Sequence, residues 1–170
     1  LGSILGGIVR GGVDTEAIRD AFDERGAAAG AGALDGLAGR HLHGEDVVLT
    51  SAFGSRRSPY TRAMEFHSGI DLAAPAGTPI LAPVAGVVVW AGAVEADRRN
   101  DWWRLGQTVV IASGDAFRTI FGHCEQILVR RGERVAAGEP IATVGETGWT
   151  TAPHLHYEIR RRTASGWTAV

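Results

Sequence analysis

The sequence predicts a mainly β protein whose core is an antiparallel sheet, sandwich or barrel. From Val47 onward, short runs rich in β-branched residues are bounded by Gly or Pro, and they occupy 86–90, 108–111 and 140–144. These strand signals recur about every ten residues, a spacing that favours antiparallel architectures. No helical periodicity of useful length follows Val47, so helices are not expected to contribute to this core.

A short helix is predicted only near the N-terminus. Asp14 or Thr15 can cap a helix over 16–22, and an Ala/Gly-rich stretch typical of a linker follows it. Two regions are therefore predicted, a helix and linker over 1–45 and the β domain over 46–170.

Composition excludes several classes of function. The net charge of −2 argues against a general nucleic-acid binder. All 17 basic residues are Arg, which excludes Schiff-base lysine chemistry and lysine-linked biotin or lipoyl carriers, although residues 132–138 are similar to such barrels. The single cysteine, Cys124, rules out an internal disulfide and a Cys-rich zinc finger.

No segment is predicted to cross a membrane, because no run of about 18 apolar residues is present. Residues 1–9 are apolar but lack the basic leading segment and small-residue cleavage site of a signal peptide. Since the sequence does not begin with Met, we expect any export signal, membrane anchor or other domain to lie outside it. No pattern predicts the oligomeric state.

The most informative motif is His154-Leu155-His156. In an extended strand, residues two apart point to the same face, so the two imidazoles stand side by side, about 7 Å apart along the backbone. One imidazole can then bind a metal while the other reaches a molecule beside that metal. The motif gains weight from His67-Ser68-Gly69-Ile70-Asp71 and from Gly122-His123 upstream.

The spacing of His67 and Asp71 predicts a bend. Gly69 and nearby Pro75 disfavour a helix, and a straight strand would separate the two backbones by about 13 Å. Side chains that far apart could barely share one ion, since zinc bonds are only about 2.0–2.2 Å long. The chain is therefore expected to bend at Gly69, and His156 is the candidate for a third ligand.

Two His and one carboxylate form a recurring catalytic zinc site that leaves a fourth position for water. The residual positive charge of such a site acidifies the water and polarises a carbonyl. The same three residue types also form the facial triad of iron oxygenases, so the ligand set alone leaves an iron site as an alternative to zinc. Extra histidines beside the metal favour proton transfer and hence hydrolysis.

Three segments extend these motifs in a fixed order: SAFGSRRSP, then HSGIDLAAPAGTPILAPVAGVVVWAG, then TIFGHCEQILVRRGERVAAGEPIATVGETGWTTAPHLHYEIR. With them, the stretch from Leu49 to Ile159 resembles the lysostaphin/LytM-type zinc metalloendopeptidases, which cut peptide bridges in bacterial cell walls. The resemblance covers about two thirds of the chain. It implies a β-rich fold with a groove, the metal on the groove floor and loops as its walls.

The resemblance implies zinc ligands at His67, Asp71 and His156, one zinc ion per chain, and catalytic histidines at His123 and His154. It implies an endopeptidase of the bacterial cell envelope that hydrolyses peptide cross-links or bridges of peptidoglycan. In such an enzyme a zinc-activated water attacks the peptide carbonyl and the two histidines assist. Glycyl-glycine bridges and D-alanyl–diaminopimelate cross-links both suit the family, and the division of roles between the two histidines stays open.

The sequence departs from the family at two positions beside the central histidine. Phe121 stands where the family usually has Tyr, which removes a hydroxyl that could contact substrate. Cys124 stands where the family usually has Leu, and a thiol nucleophile is disfavoured because adjacent strand residues point to opposite faces. Glu158 shares the face of His154 and His156 and is expected either to orient an imidazole or to be a solvated charge.

Three alternatives remain open. A non-enzymatic cell-wall-binding or regulatory module could use the same fold, although all five expected site positions are filled. A second pair, His41 and His43, could fold back onto the metal in a latent form, with a surface strand end as the default. The loop over 96–104, with its two tryptophans, is expected either to wall a binding groove or to cover the sheet.

Overall fold

The computed structural model describes residue 42 and residues 47–94 and 102–170. The helix predicted over 16–22, its linker, and both His41 and His43 lie outside these residues. Within the described part of the chain there is no helix that is long and apolar enough to cross a membrane. The predicted mainly β class is confirmed, since this part is built from strands, turns and irregular connections.

The described residues form thirteen strands. Their bounds are β1 (Val48–Ser51), β2 (Gly54–Arg57), β3 (Met64–His67), β4 (Ile70–Ala73), β5 (Pro79–Leu81), β6 (Gly86–Ala93), β7 (Gln107–Ser113), β8 (Phe117–Gly122), β9 (Cys124–Ile127), β10 (Arg134–Val135), β11 (Pro140–Val144), β12 (His154–Thr163) and β13 (Gly166–Ala169). The three runs predicted as strands thus correspond to β6, β7 and β11.

Every strand pairing is antiparallel, as the spacing of the strand signals predicts. The largest sheet has eight strands, in the order β1-β4-β12-β8-β7-β6-β10, with β13 added to β12. A second sheet pairs β5, β11 and β9, and β2 pairs with β3 as a separate two-stranded ribbon. This arrangement places β12 at the centre of the large sheet, between β4 and β8.

Alternation along β12 separates the core from the site. Leu155, Tyr157 and Ile159 are almost fully buried and belong to the main core, which also contains Ile80 and Ile141 of the three-stranded sheet. Residues two apart share a face, so the even-numbered residues of β12 point to the opposite side. The large sheet therefore turns one face to the core and offers the other to a site.

The opposite face of the large sheet is partly covered by the segment before β7. Val110 and Ile120 pair across β7 and β8, and Trp102 and Leu105 pack on them as a second, smaller apolar cluster. Trp103 lines a groove instead. Each of the two expectations for this loop is thus met by one tryptophan, since the turn at 102–104 places Trp102 on the sheet and Trp103 at the groove. Residues 96–101 of the loop lie outside the described residues.

The bend predicted between His67 and Asp71 is present, but glycine is required at position 69 because a larger residue would clash with β12. The chain leaves the ribbon after His67 and enters the large sheet at Ile70. A Cβ at Gly69 would lie 2.4 Å from the backbone oxygen of Tyr157 and 2.9 Å from His156 Nε2. Glycine lets β4 approach β12 closely enough for the two strands to share a metal site.

We expect Gly69→Ala to destabilise the protein by about 1–3 kcal/mol, because the added methyl overpacks a buried contact. The same methyl pushes on His156, so metal affinity should fall as well. Urea unfolding and a metal titration measure the two effects. Gly132→Ala is the matched control, since φ there is +90° but no atom lies within 4 Å of a Cβ. Gly132→Ala should lower stability without changing metal affinity. Unchanged metal affinity in Gly69→Ala would contradict the role of Gly69 in positioning His156.

Candidate metal centre

Three side chains converge on one point of the large sheet's open face. His67 Nε2 lies 3.1 Å from Asp71 Oδ1 and 3.1 Å from His156 Nδ1. The third edge, from His156 Nδ1 to Asp71 Oδ1, is 2.9 Å. These three residues form a group able to hold a metal ion, because each directs one ligand atom into the same small triangle.

Strand register creates this convergence. Asp71 on β4 and His156 on β12 are direct cross-strand partners, and on the other side of β12 His156 pairs with Gly122 of β8. Directly paired residues of neighbouring strands point to the same face of the sheet. His67 reaches the point from the end of β3, after the close approach that Gly69 permits. The predicted trio of His67, Asp71 and His156 is therefore brought together.

The geometry of the triangle suits zinc. Bonds of about 2.0–2.2 Å at tetrahedral angles require ligand atoms about 3.3–3.6 Å apart, slightly wider than the edges seen here. The outer ring nitrogens are occupied: His67 Nδ1 lies 2.9 Å from the Ala52 carbonyl oxygen, and His156 Nε2 lies 3.4 Å from Glu158 Oε2. Donation of the outer N–H to these acceptors leaves the inner nitrogen of each ring with a lone pair for the metal.

Charges at the triangle are strongly coupled. Burial alone would raise the pKa of Asp71, but hydrogen bonds from His156 and His67 outweigh it and hold that pKa well below its usual value. Burial alone would lower the pKa of His156, but hydrogen bonds to Asp71 and Glu158 outweigh it and raise that pKa. The site therefore favours a positive charge between these groups, the same condition that a bound cation satisfies.

Glu158 is a buried anion behind His156. Its side chain is 1% exposed, accepts a hydrogen bond of 2.7 Å from Ser68 Oγ, and is paired with Arg160. Burial would raise the pKa of Glu158, but the hydrogen bonds and charges of His156 and Arg160 lower it overall, so the group is ionised. Two roles were expected for Glu158. The structure supports the role of hydrogen-bond partner to an imidazole and not that of a solvated charge.

We expect Glu158→Gln to weaken metal binding about 10–100-fold, the usual cost of removing an outer partner of a metal-binding histidine. The amide retains the size of the side chain but presents the His156 ring with a weaker acceptor. Competition with a chromogenic chelator measures the change. Glu125→Gln, on the exposed part of β9, is the control and should bind metal like the unaltered protein. Equal affinities in both variants would remove Glu158 from this role.

Arg56 was not singled out by the sequence, yet it contacts the predicted ligand Asp71. Its Nη1 lies 3.0 Å from Asp71 Oδ2, and its Nε lies 3.2 Å from Glu65 Oε1. Arg56 thereby occupies the outer oxygen of Asp71 and leaves Oδ1 for the metal. Alternation along β2 makes either Arg56 or Arg57 face inward, but only the packing of the ribbon on the large sheet decides which.

His123 and His154 lie beside the triangle, with ring centroids 4.5 Å apart. Each ring has its Nδ1 near a backbone carbonyl oxygen, at 2.8 Å from that of Thr147 for His123 and at 2.9 Å from that of Ala152 for His154. Donation to these carbonyls leaves Nε2 of each ring as the proton acceptor. His154 Nε2 lies 3.7 Å from Asp71 Oδ1, within reach of a molecule bound at the triangle.

The backbone at His123 has a φ of +62°, which is uncommon for a residue with a Cβ. This residue stands between the end of β8 and the start of β9, and its N–H donates to the Leu105 carbonyl at 2.7 Å. Burial, followed by the charges of His154 and His156, lowers the pKa of His123 to about 4. The imidazole is therefore neutral near pH 7 and able to accept a proton.

Cys124 points away from the site. Its side chain is fully buried in the main core, and Sγ lies 3.4 Å from the Phe121 carbonyl oxygen. Burial raises the pKa of this thiol to about 12, whereas a nucleophilic cysteine needs a lowered pKa. The conclusion drawn from the sequence against a thiol nucleophile agrees with the structure, but the reason differs: His123 is not a strand residue, so burial of Cys124 rather than strand alternation separates the thiol from the site.

A groove of about 650 Å³ runs over the five site residues. Its lining residues include Tyr60, Trp103, Arg104 and Trp149, together with the acidic Glu65. The groove that the resemblance implies is present. Trp103 and Arg104 belong to the loop over 96–104 that the sequence predicts as a candidate groove wall, whereas Tyr60 and Trp149 carry no spacing motif and were not predicted.

Comparison with known proteins identifies the family. Residues 65–166, more than half of the chain, match the model of Peptidase family M23. Over 112 residues the chain is 39% identical to the peptidoglycan DD-endopeptidase ShyA of Vibrio cholerae. That alignment covers 65% of this chain but 24% of ShyA, so the chain spans about a quarter of the length of this curated relative.

Solved structures agree with the family match. The catalytic domain of the prophage-encoded M23 protein EnpA from Enterococcus faecalis, crystallised as a point mutant, is 37% identical with a TM-score of 0.61, covering 75% of this chain and 90% of that chain. A zinc-containing peptidase from Vibrio cholerae is 31% identical with a TM-score of 0.58, covering 71% of this chain and 35% of that chain.

The catalytic domain of lysostaphin from Staphylococcus simulans is 27% identical with a TM-score of 0.58, covering 71% of this chain and 88% of that domain. The fold expected from the resemblance is thus found in an enzyme of the expected type. With the match over residues 65–166, these comparisons show that the chain belongs to Peptidase family M23.

Proposed function

We propose that the protein is a zinc-dependent endopeptidase that hydrolyses peptide cross-links of bacterial peptidoglycan and acts in the cell envelope. The observation that supports this most directly is the triangle of His67, Asp71 and His156 with two further imidazoles beside it. A purely structural metal site is closed by four protein ligands, whereas three ligands in an open groove leave room for a reactant.

The proposed roles follow from which atoms are already occupied. His67 Nε2, Asp71 Oδ1 and His156 Nδ1 would hold the zinc ion, which when bound supplies a Lewis acid for activating water and polarising a carbonyl. His123 and His154 are held through Nδ1 by backbone carbonyls, which leaves Nε2 of each ring available to the reacting groups. One of them would accept the proton of the attacking water, and the other would steady the oxyanion of the substrate carbonyl.

The relatives and the groove support a peptidoglycan peptide as the substrate. ShyA is named a peptidoglycan DD-endopeptidase, and lysostaphin, an antimicrobial peptidase, has the same fold. The groove has a volume of about 650 Å³ and is lined by all three residues of the triangle, which supports a peptide as its ligand. We propose a cross-linked stem peptide as substrate, with cleavage of the cross-link between two stems.

Digestion of purified, cross-linked peptidoglycan tests this function. We expect the zinc-loaded protein to cut the cross-links, so that muramidase digestion afterwards gives fewer dimeric and more monomeric muropeptides, which mass spectrometry identifies together with the bond that is cut. Removal of the metal with a chelator should abolish release, and added zinc should restore it. Binding to peptidoglycan without any new product, with and without zinc, would instead support a non-enzymatic module.

A further inference from the structure

One part of the groove has no role in the hydrolytic steps. Tyr60, Trp103, Trp149 and Arg104 form an aromatic–arginine cluster on its wall. The Trp149 ring centroid lies 5.1 Å from that of Tyr60 and 4.9 Å from that of Trp103. The Arg104 guanidinium lies 4.9 Å from the Trp103 ring centroid and 5.3 Å from that of Trp149, which is cation–π geometry.

The cluster exposes aromatic surface that a purely structural contact would bury. Tyr60 is 40% exposed and Trp149 is 41% exposed, although their rings touch each other and line the same groove as the metal triangle. Aromatic rings and arginine are the side chains most enriched at binding hot spots, because they combine apolar area with a polar handle. Their position beside the triangle makes the cluster continuous with the proposed active site.

Arg104 is held in place without using all of its donors. Its Nη1 donates to Glu65 Oε2 at 3.2 Å, and Glu65 Oε1 in turn accepts from Arg56 Nε. The Arg104 side chain is nevertheless 40% exposed and lines the groove, although its Nε is buried and makes no hydrogen bond to the described residues. A planar guanidinium stacked on rings and fixed by one carboxylate is preorganised to bind a second carboxylate through its free edge.

We propose that the aromatic–arginine cluster is a subsite for a free carboxylate on the peptide next to the scissile bond, with the adjoining part of the peptide packed on the rings. An acidic peptide fits better than a neutral glycan, because the cluster contains a cation held against the rings of Trp103 and Trp149. Arg57 also lines the groove, with its Nη1 3.4 Å from the Arg62 carbonyl oxygen. This inference rests on the proposed function and names the chemistry by which the substrate is recognised.

Two synthetic cross-linked peptides test the subsite. They differ only in that one carries a carboxylate beside the scissile bond and the other a carboxamide. We expect the zinc-loaded protein to have a KM about tenfold lower for the carboxylate peptide, since a charge-assisted hydrogen bond is worth that much. In Arg104→Gln this preference should disappear, and the effect should fall on KM rather than on kcat.

The aromatic part is tested by Trp149→Ala, which should raise KM about fivefold or more for both peptides, as loss of one buried aromatic contact predicts. Trp90→Ala is the matched control, because Trp90 is 39% exposed on β6, away from the groove, and its removal should leave KM unchanged. A preference for the carboxylate that persists in Arg104→Gln would overturn the proposal, as would equal KM values in Trp149→Ala and Trp90→Ala.

Failure of the proposed function is distinguishable from failure of the subsite. If the unaltered protein cleaves neither peptide, calorimetric titration of both peptides into the zinc-loaded protein still measures their Kd values. About tenfold tighter binding of the carboxylate peptide, lost in Arg104→Gln, would support the subsite without hydrolysis. Equal Kd values for the two peptides would refute it.

Discussion

Replacing His154 with alanine is expected to lower kcat by about 10²–10⁴-fold, the usual contribution of a positioned acid–base group, while zinc remains bound. The physical reason lies in the geometry. His154 Nε2 is 3.7 Å from Asp71 Oδ1, next to the triangle, but the three atoms within 3.1 Å of one another belong to other residues. Its loss should therefore remove proton transfer or oxyanion stabilisation and spare the metal.

The test pairs hydrolysis with metal analysis. His154→Ala and His123→Ala are compared with the unaltered protein for cleavage of a cross-linked peptide and for zinc content by atomic emission. Each variant should retain about one zinc ion per chain, the content of a single three-ligand site. Undiminished cleavage in both variants would remove the two histidines from the mechanism. Loss of zinc from His154→Ala would instead make His154 a metal ligand.

Much of this fold is predictable because many of its strands have local sequence signals. β6, β7 and β11 coincide with β-branched runs between Gly or Pro, and alternation along β12 places His154, His156 and Glu158 on one face. The order of the strands within the sheet is not predictable in this way. That β12 lies between β4 and β8 depends on long-range pairing, for which a single sequence offers no local signal.

The site also contains some residues that the sequence predicts and others that only long-range contacts reveal. Motif spacing pointed to His67, Asp71, His154 and His156, and the resemblance to the lysostaphin/LytM-type family added the role of His123. Arg56 and the Tyr60–Trp149 contact were missed, since they join segments far apart in sequence and carry no motif. The sequence identified Gly69 as a required glycine, but the reason it gave was incomplete. Backbone flexibility was expected, whereas the structure shows that there is no room for a side chain beside the Tyr157 carbonyl oxygen.

Replacing Asp71 with asparagine is expected to weaken zinc binding by more than about 100-fold, beyond the 10–100-fold expected for an outer partner such as Glu158. Asp71 supplies the only carboxylate oxygen within the triangle, at 2.9 and 3.1 Å from the two ring nitrogens. An amide oxygen retains the shape but not the charge that offsets a divalent cation. Hydrolysis at limiting zinc should fall in parallel, which a zinc titration of activity measures.

The change also leaves Arg56 without one of its two carboxylate partners, so loss of zinc alone does not identify Asp71 as a ligand. Glu65→Gln separates the two effects, because it removes the other carboxylate of Arg56, at 3.2 Å from Nε, without touching the triangle. If Asp71 is a ligand, Glu65→Gln keeps its zinc and Asp71→Asn does not. If both variants lose zinc equally, the arginine rather than the carboxylate determines metal binding, and Asp71 would act only through Arg56.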